Sequence, residues 1–391
     1  MRRPLALLIS PVLPDARGNG LARRAWSWVA ELACEYRLLT IVVNPWSEAK
    51  QGSSPLPGEV VFLVGAPSDA RRAPPDWIPP SPDLAAALRG ALTKEVPARV
   101  VIFRLYMAGV ASLLPDSWRA IAEIDFDDCE SATRRSLAVL ALRRGHPRLA
   151  LAFLRGAAAY RPAERMALAA YRTVYLAAAE DALAFRRRRP PAQVVARPNR
   201  IAGPPCPLSP PPVDAARVLF VGTLGYLPNE DAVLWLAERI APRLRLLVPQ
   251  AQIAVVGAAS SSLAGRMRQA GFDYLGPLDD LAEAYAGASL AVAPLRGGGG
   301  TKIKVLEAWL HGRPVVATSH ACRGLPVMDG THLLRADTAN QIAAACARLL
   351  RDPALAGRLA LAGQELLRRH FLLPPRADQG AAARENCSDA R

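Results

Sequence analysis

The fold turns on residues 289–318, SLAVAPLRGGGGTKIKVLEAWLHGRPVVAT. SLAVAP (289–294) is a short apolar run of the kind a buried parallel strand requires. Four glycines follow, then an amphipathic pattern over about 302–311 with Glu307 as its only carboxylate, and then a second strand-like run, RPVVAT (313–318). Strand, helix and strand at this spacing make a βαβ unit, and βαβ units build parallel sheets.

The same rhythm extends toward the N-terminus: RVLFVG (217–222), a helix over about 229–247, AQIAVVG (251–257), a helix near 262–270, FDYLG (272–276) and a helix near 280–286. A separate series opens the chain. It contains LALLIS (5–10), a helix from about 21 to 35, RLLTIVV (37–43), VVFLV (60–64), ARVVIF (98–103), a mostly helical insertion over about 131–170 and TVYLA (173–177). Between the two series, residues 197–213 hold seven prolines, which continue neither helices nor central strands. The expected organisation is α/β: an N-terminal Rossmann-like domain over 1–196, a Pro-rich linker over 197–213, a C-terminal Rossmann-like domain over 214–371 and a disordered tail over 372–391. Ligands of open parallel sheets sit at the carboxyl ends of strands, so the two domains are expected to face a common cleft.

At 391 residues the chain has room for two cores. Its formal net charge is +15, with arginines concentrated at 134, 135, 143, 144, 148, 155, 161, 165, 172 and 186–189. Such a field suits phosphates or anionic lipid headgroups. Aromatic residues make up only 6% and do not alternate with the arginines, which argues against a nucleic-acid partner. Six scattered cysteines without C-x-x-C spacing read as thiols of a reducing compartment. The opening apolar run is short and ends at Pro11, so it reads as a first strand rather than a signal peptide. The expected location is cytoplasmic, with peripheral contact at the inner face of an anionic membrane through the 131–170 insertion.

Glycines ahead of lysine suggest phosphate. A P-loop nevertheless requires G-K-[ST], and here Thr301 precedes Lys302 while Ile303 stands where a magnesium-binding hydroxyl belongs. A dinucleotide fingerprint would open the first βα unit of its domain, and this run does not. Two readings remain. One is an anion site in which glycines, helix amides, Lys302 and Lys304 approach a diphosphate and Glu307 holds a pair of hydroxyls. The other is a mobile loop with a solvated Glu307. DFDD (125–128) reads as an acidic strand-end turn capping the next helix, and His311 as a dipole partner at a helix end. Arg104 and Tyr106, just past a strand, are candidates for contact with the acceptor or the transferred sugar.

The segments at 218–257 (VLFVGTLGYLPNEDAVLWLAERIAPRLRLLVPQAQIAVVG) and 294–327 (PLRGGGGTKIKVLEAWLHGRPVVATSHACRGLPV) resemble the C-terminal half of retaining, nucleotide-sugar-dependent glycosyltransferases. These are the GT-B enzymes of glycosyltransferase family 4, the glycosyl transferases group 1 type. PVLPDARGNGLARRA (11–25) and IDFDDCES (124–131) resemble N-terminal segments of that family. The resemblance implies that a sugar moves with retention from a nucleoside diphosphate sugar to a glycan or lipid-linked acceptor in cell-surface polysaccharide biosynthesis, without metal or cofactor. It implies donor binding by Gly299, Gly300, Thr301, Lys302 and Lys304 at the diphosphate and by Glu307 at the ribose. Gly18 and Gly20 would close over the donor, with Gly222, Thr223 and Asn229 lining the cleft. Lys302, Glu307 and Arg104 are the catalytic candidates. Two positions depart from the family pattern: Gly299 stands where the first of two signature glutamates is usual, and Thr223 where many members carry arginine. A sugar-nucleotide epimerase or hydrolase, or a non-catalytic binder, are the alternatives on the same scaffold.

Overall fold

The computed structural model describes residues 3–44, 55–65, 74–92, 95–207, 216–300 and 302–373. Two wholly parallel sheets organise the chain. The first contains β1 (Leu5–Ser10), β2 (Arg37–Asn44), β3 (Glu59–Val64), β4 (Arg99–Phe103), β5 (Ala122–Asp127), β6 (Thr173–Leu176) and β7 (Gln193–Ala196) in the order β3-β2-β1-β4-β5-β6-β7. The second contains β8 (Arg217–Val221), β9 (Gln252–Val256), β10 (Asp273–Gly276), β11 (Leu290–Ala293), β12 (Val315–Ala317) and β13 (Leu334–Arg335) in the order β10-β9-β8-β11-β12-β13. In each sheet the strand order reverses beside its first strand, between β1 and β4 and between β8 and β11. The loops leaving those strands therefore diverge to opposite faces and open a crevice.

Burial explains the apolar runs. Every residue of β1 is buried. Leu5, Leu7 and Ile9 join the core on one face of the sheet, while Ala6 and Leu8 join a second core around Trp28 on the other. A parallel sheet covered on both faces has no solvent side, so its strands show no polar alternation.

The sequence reading placed most elements and missed three strands: β5, β7 and the two-residue β13. The helix expected over 229–247 is Leu227–Trp235 and Ala241–Leu247 joined by a wide π turn at Leu236–Ile240. Pro242 has no N–H to give the preceding turn, and the backbone widens there instead of breaking. The final helical run divides at Asp352, whose carboxylate caps the helix Pro353–His370 by accepting from Leu355 N at 2.9 Å. Of the linker expected over 197–213, residues 208–213 lie outside the described residues, as do 374–391 of the expected tail. Leu372 and Leu373, counted with that tail, are ordered: Ile201 N donates to Phe371 O at 2.8 Å and Leu373 N to Ile201 O at 2.9 Å. Residues 371–373 thereby return to the start of the linker.

A buried ion pair fixes the N-terminal sheet to its first helix, Gly20–Glu35. Arg24 and Asp125 are both fully buried. Arg24 Nε donates to Asp125 Oδ2 at 2.9 Å and Nη2 to Oδ1 at 2.7 Å, while Trp28 Nε1 donates to Oδ2 at 2.6 Å. Burial on its own would raise the Asp125 pKa, but the Arg24 guanidinium overrides it and holds the carboxyl below its ordinary range. Arg24 Nη1 reaches on to Arg197 O and Asn199 Oδ1, both at 2.9 Å, so the linker starts from the same anchor. Replacing Arg24 by Met leaves Asp125 buried without its cation. The expected loss is about 3–5 kcal/mol of unfolding free energy, measured by chemical denaturation followed by circular dichroism.

Candidate active site

The strand ends at the two crevices face one another across a cleft of about 690 Å³. On the C-terminal side, β8 runs into Gly222 and Thr223, and β11 into the glycine loop 297–300 and the helix Ile303–Leu310. Lys304 Nζ donates to Asn229 Oδ1 at 2.7 Å, and Asn229 Nδ2 donates to Thr223 O at 2.9 Å. A Cβ on Gly222 would lie 2.9 Å from Lys304 Nζ and 3.0 Å from Asn229, so a side chain there would displace the Lys304–Asn229 pair. Lys302 Nζ bonds the carbonyls of Gly299 and, at 2.8 Å, Gly300, drawing the loop back onto the helix start.

Glu307 is buried rather than solvated. Its Oε1 accepts from Arg23 Nη1 of the first helix at 2.5 Å, and Arg23 Nε donates to Gly18 O at 2.7 Å. Gly18 and Gly20 lie across the cleft from Gly222, Thr223, Asn229, Gly299, Gly300, Lys302, Lys304 and Glu307, all of them cleft-lining. Thr301 lies outside the described residues. The lysines sit in dry surroundings: burial pushes Lys302 down to about 8 and Lys304 to about 7, against the opposing pull of Asp128 on the first and Glu307 on the second. An anion entering the cleft would raise both values and hold both protons more firmly.

Arg104 also lines the cleft, but its guanidinium is already bound. Nη1 donates to Asp127 Oδ2 at 2.6 Å, Nη2 pairs with Glu130, and the Tyr106 ring lies beside it at 5.5 Å. The backbone at Arg104 is left-handed, with φ of 79°, as is Asp127 at 62°. Burial and the neighbouring Asp128 carboxyl push Asp127 up to about 6.

Two expectations from the sequence are corrected. The DFDD acids do not cap the next helix. Its N-cap is Cys129, with no side-chain cap bond, and the carboxylates of Asp125 and Asp127 instead hold Arg24 and Arg104. His311 ends its helix but is no cationic dipole partner: it stacks on Tyr285 at 4.7 Å, and burial lowers its pKa, which keeps the ring neutral. Among the described residues no group of three His, Cys, Asp or Glu side chains is arranged to hold a metal.

The sequence reading missed what the glycines press against. The loop 297–300 packs directly on the helix Glu130–Arg143 of the other half. A Cβ on Gly297 would meet Leu140 at 2.5 Å, and one on Gly299 would meet Thr133 Oγ1 at 2.3 Å and Asp128 Cγ at 2.5 Å. Gly298 N donates to Ser136 Oγ at 2.9 Å, and Gly298 O accepts from His320 Nε2 at 2.9 Å. Further ion pairs tie the halves together: Arg144 with Asp231 at 2.8 Å, and Arg323 with Asp181 at 2.8 Å. The loop backbone therefore lies directly against the side chains of Leu140, Ser136, Thr133 and Asp128, and a side chain at 299 has no space here. A visible signal for this was the unbroken run itself, since a phosphate cradle needs fewer bare positions than four.

Residues 215–352 match the family model described as Glycosyl transferases group 1. No protein with a curated description matches the sequence. Among solved structures, sucrose-phosphate synthase from Thermosynechococcus elongatus aligns over 100% of both chains with a TM-score of 0.67 and 18% identity. The Anabaena protein HepE in complex with UDP-glucose aligns over 98% of this chain and 100% of its own, with a TM-score of 0.62 and 14% identity. A glycosyltransferase from Rickettsia africae aligns over 100% of both chains, with a TM-score of 0.61 and 11% identity. The fold is GT-B.

Gly299→Ala tests the contact between the halves. The added methyl has to push the loop off Thr133 and Asp128, at an overpacking cost of about 1–3 kcal/mol. Small-angle scattering is expected to give a larger radius of gyration for the variant with unchanged secondary structure.

Proposed function

We propose that this chain, which has the GT-B fold and carries a glycosyl transferases group 1 domain, transfers a sugar from a nucleoside diphosphate sugar to a glycan or lipid-linked acceptor in the making of cell-surface polysaccharide. One observation carries the reading: Lys302, Lys304, Asn229 and Glu307 converge at the start of a single helix, across the cleft from Arg23 and the loop at residues 18–20. The lysines and the first-turn amides of the helix Ile303–Leu310 are the diphosphate grip. Glu307 offers Oε2 to the ribose while Arg23 holds Oε1. As the bond from the anomeric carbon to the phosphate oxygen breaks, the electron pair leaves with the diphosphate. Its growing charge is met by Lys302, Lys304 and the amides, so the transition state is stabilised more than the ground state. Those groups do the work a metal would otherwise do, and retention at the anomeric carbon is the stereochemistry that the sequence resemblance implies.

Calorimetric titration with UDP, GDP, ADP and CDP tests the grip. At least one diphosphate is expected to bind with proton uptake near pH 8, because bound anion raises the depressed lysine pKa values. Affinity should then weaken as the pH rises above about 7. Lys304→Ala and Glu307→Ala should each weaken that diphosphate by about tenfold or more. Parent-like binding by both variants would overturn the assignment. Donor breakdown at full rate without any acceptor would instead identify an epimerase or hydrolase.

A membrane-surface acceptor is part of the same proposal. The helices Glu130–Arg143 and Pro147–Ala170 present Val139, Leu142, Leu149, Leu151, Leu154 and Met166 to solvent among Arg135, Arg143, Arg148, Arg155, Arg161 and Arg165. The acid of the second helix, Glu164, is buried against Ser131 and offsets none of this charge at the surface. No helix of the described residues is long and apolar enough to cross a membrane. The face is suited to lying on anionic lipid, with apolar side chains in the interface and arginines at the headgroups. Sedimentation with vesicles containing phosphatidylglycerol is expected to carry the protein down at low salt and to fail with neutral vesicles. Equal sedimentation with both would refute an electrostatic contact.

A further inference from the structure

Beside the cleft lies a second cavity of about 590 Å³, and the two share a wall that includes Arg104, Tyr106, Asp128 and Tyr226. If the cleft holds a nucleoside diphosphate sugar, as proposed above, a sugar carried over the 297–300 loop must lie against this wall. The loop backbone is already in contact with it. The polar groups of the wall are unequally committed. Arg104 spends Nη1 on Asp127 and Nη2 on Glu130. Thr133, beside Asp128, packs against Gly299.

Buried polar atoms of the wall are left without hydrogen-bond partners: Arg104 Nε, Asp127 Oδ1 and Asp128 Oδ1. Asp128 differs in its other oxygen, since Oδ2 lies 3.8 Å from the nearest Arg104 nitrogen, beyond hydrogen-bond reach. The side chain is 15% exposed and lines both cavities, so this oxygen, and not the enclosed Oδ1, is the one a ligand hydroxyl can reach. Asp127 and Glu130 are paired with Arg104, which leaves the Asp128 carboxyl to accept from a hydrogen-bond donor, and a sugar supplies hydroxyls. Geometry adds a second argument. The ideal Cβ position on Gly299 lies 2.6 Å from Asp128 Oδ2, and that on Gly300 lies 2.7 Å from Oδ1. The bare loop thus admits a carboxyl from the opposite half where a side chain of its own would stand.

We propose that Asp128 binds a hydroxyl of the sugar being transferred and selects that sugar, its carboxyl reaching the donor side of the cleft from the opposite half. Burial, opposed by Arg104 and reinforced by Glu130, holds the carboxyl above its ordinary pKa.

The test compares each diphosphate with its own sugar conjugate: UDP with UDP-glucose, GDP with GDP-mannose and ADP with ADP-glucose, by calorimetry on the parent, Asp128→Ala and Asp128→Asn. For the pair that the parent binds, Asp128→Ala is expected to leave the free diphosphate within about twofold and to weaken the conjugate about tenfold or more. Asp128→Asn keeps one acceptor oxygen and should fall between them. It also decides the question by the same ratio if Asp128→Ala does not fold. Equal weakening of diphosphate and conjugate, which leaves their ratio unchanged, would mean that Asp128 only supports the loop and overturns the inference. A parent that binds no diphosphate removes the nucleotide reading itself and this inference with it. Diphosphate binding with an unchanged ratio removes only the role of Asp128.

Discussion

The contact between the 297–300 loop and the helix Glu130–Arg143 is the constraint on which the cleft depends. The loop can lie this close to the helix only because it has no side chains of its own, and Gly297, Gly299 and Gly300 all face side-chain atoms of Leu140, Thr133 or Asp128 at distances a Cβ would violate. Once that contact forms, the loops leaving β1 and β4 stand opposite those leaving β8 and β11. A crevice at the edge of one sheet becomes a chamber between two. The ion pairs Arg23 with Glu307, Arg144 with Asp231 and Arg323 with Asp181 fasten the same arrangement at three further points.

Charge in the chamber is arranged so that few groups are idle. Arg24 and Arg104, which a count of basic residues would offer to an anionic ligand, are neutralised by Asp125, Asp127 and Glu130. Breaking such buried pairs is costly, so these arginines shape the wall and leave ligand charge to others. Lys302 and Lys304 have the opposite character. Their ammonium groups bond to carbonyls and an amide oxygen rather than to a carboxylate, and burial already loosens their protons. They are the cations left for the proposed diphosphate to engage.

Much of this was legible from residue patterns. Apolar runs such as LALLIS and RVLFVG announced strands because a parallel sheet buries both faces, and the spacing between runs announced βαβ connections. β7 and β13 escaped notice because strands of four and two residues carry too little periodicity to stand out. β5 was hidden by its own acids. AEIDFD reads as polar until Arg24 and Trp28 are brought to Asp125 from about a hundred residues earlier in the chain.

By itself the sequence determined the α/β architecture, the two series of strands, the glycine run leading into a lysine-bearing helix and the cleft-lining candidates. Each of these follows from local periodicity, spacing and side-chain chemistry. The tertiary structure alone decided what those candidates touch: that the glycines meet a helix wall, that Glu307 is gripped by Arg23, that Arg104 is already neutralised, and that Asp128 stands over the bare loop. Contacts between residues separated by up to 284 positions have no local signature. They are set by how two sheets close on one another, and that depends on the packing of the whole chain.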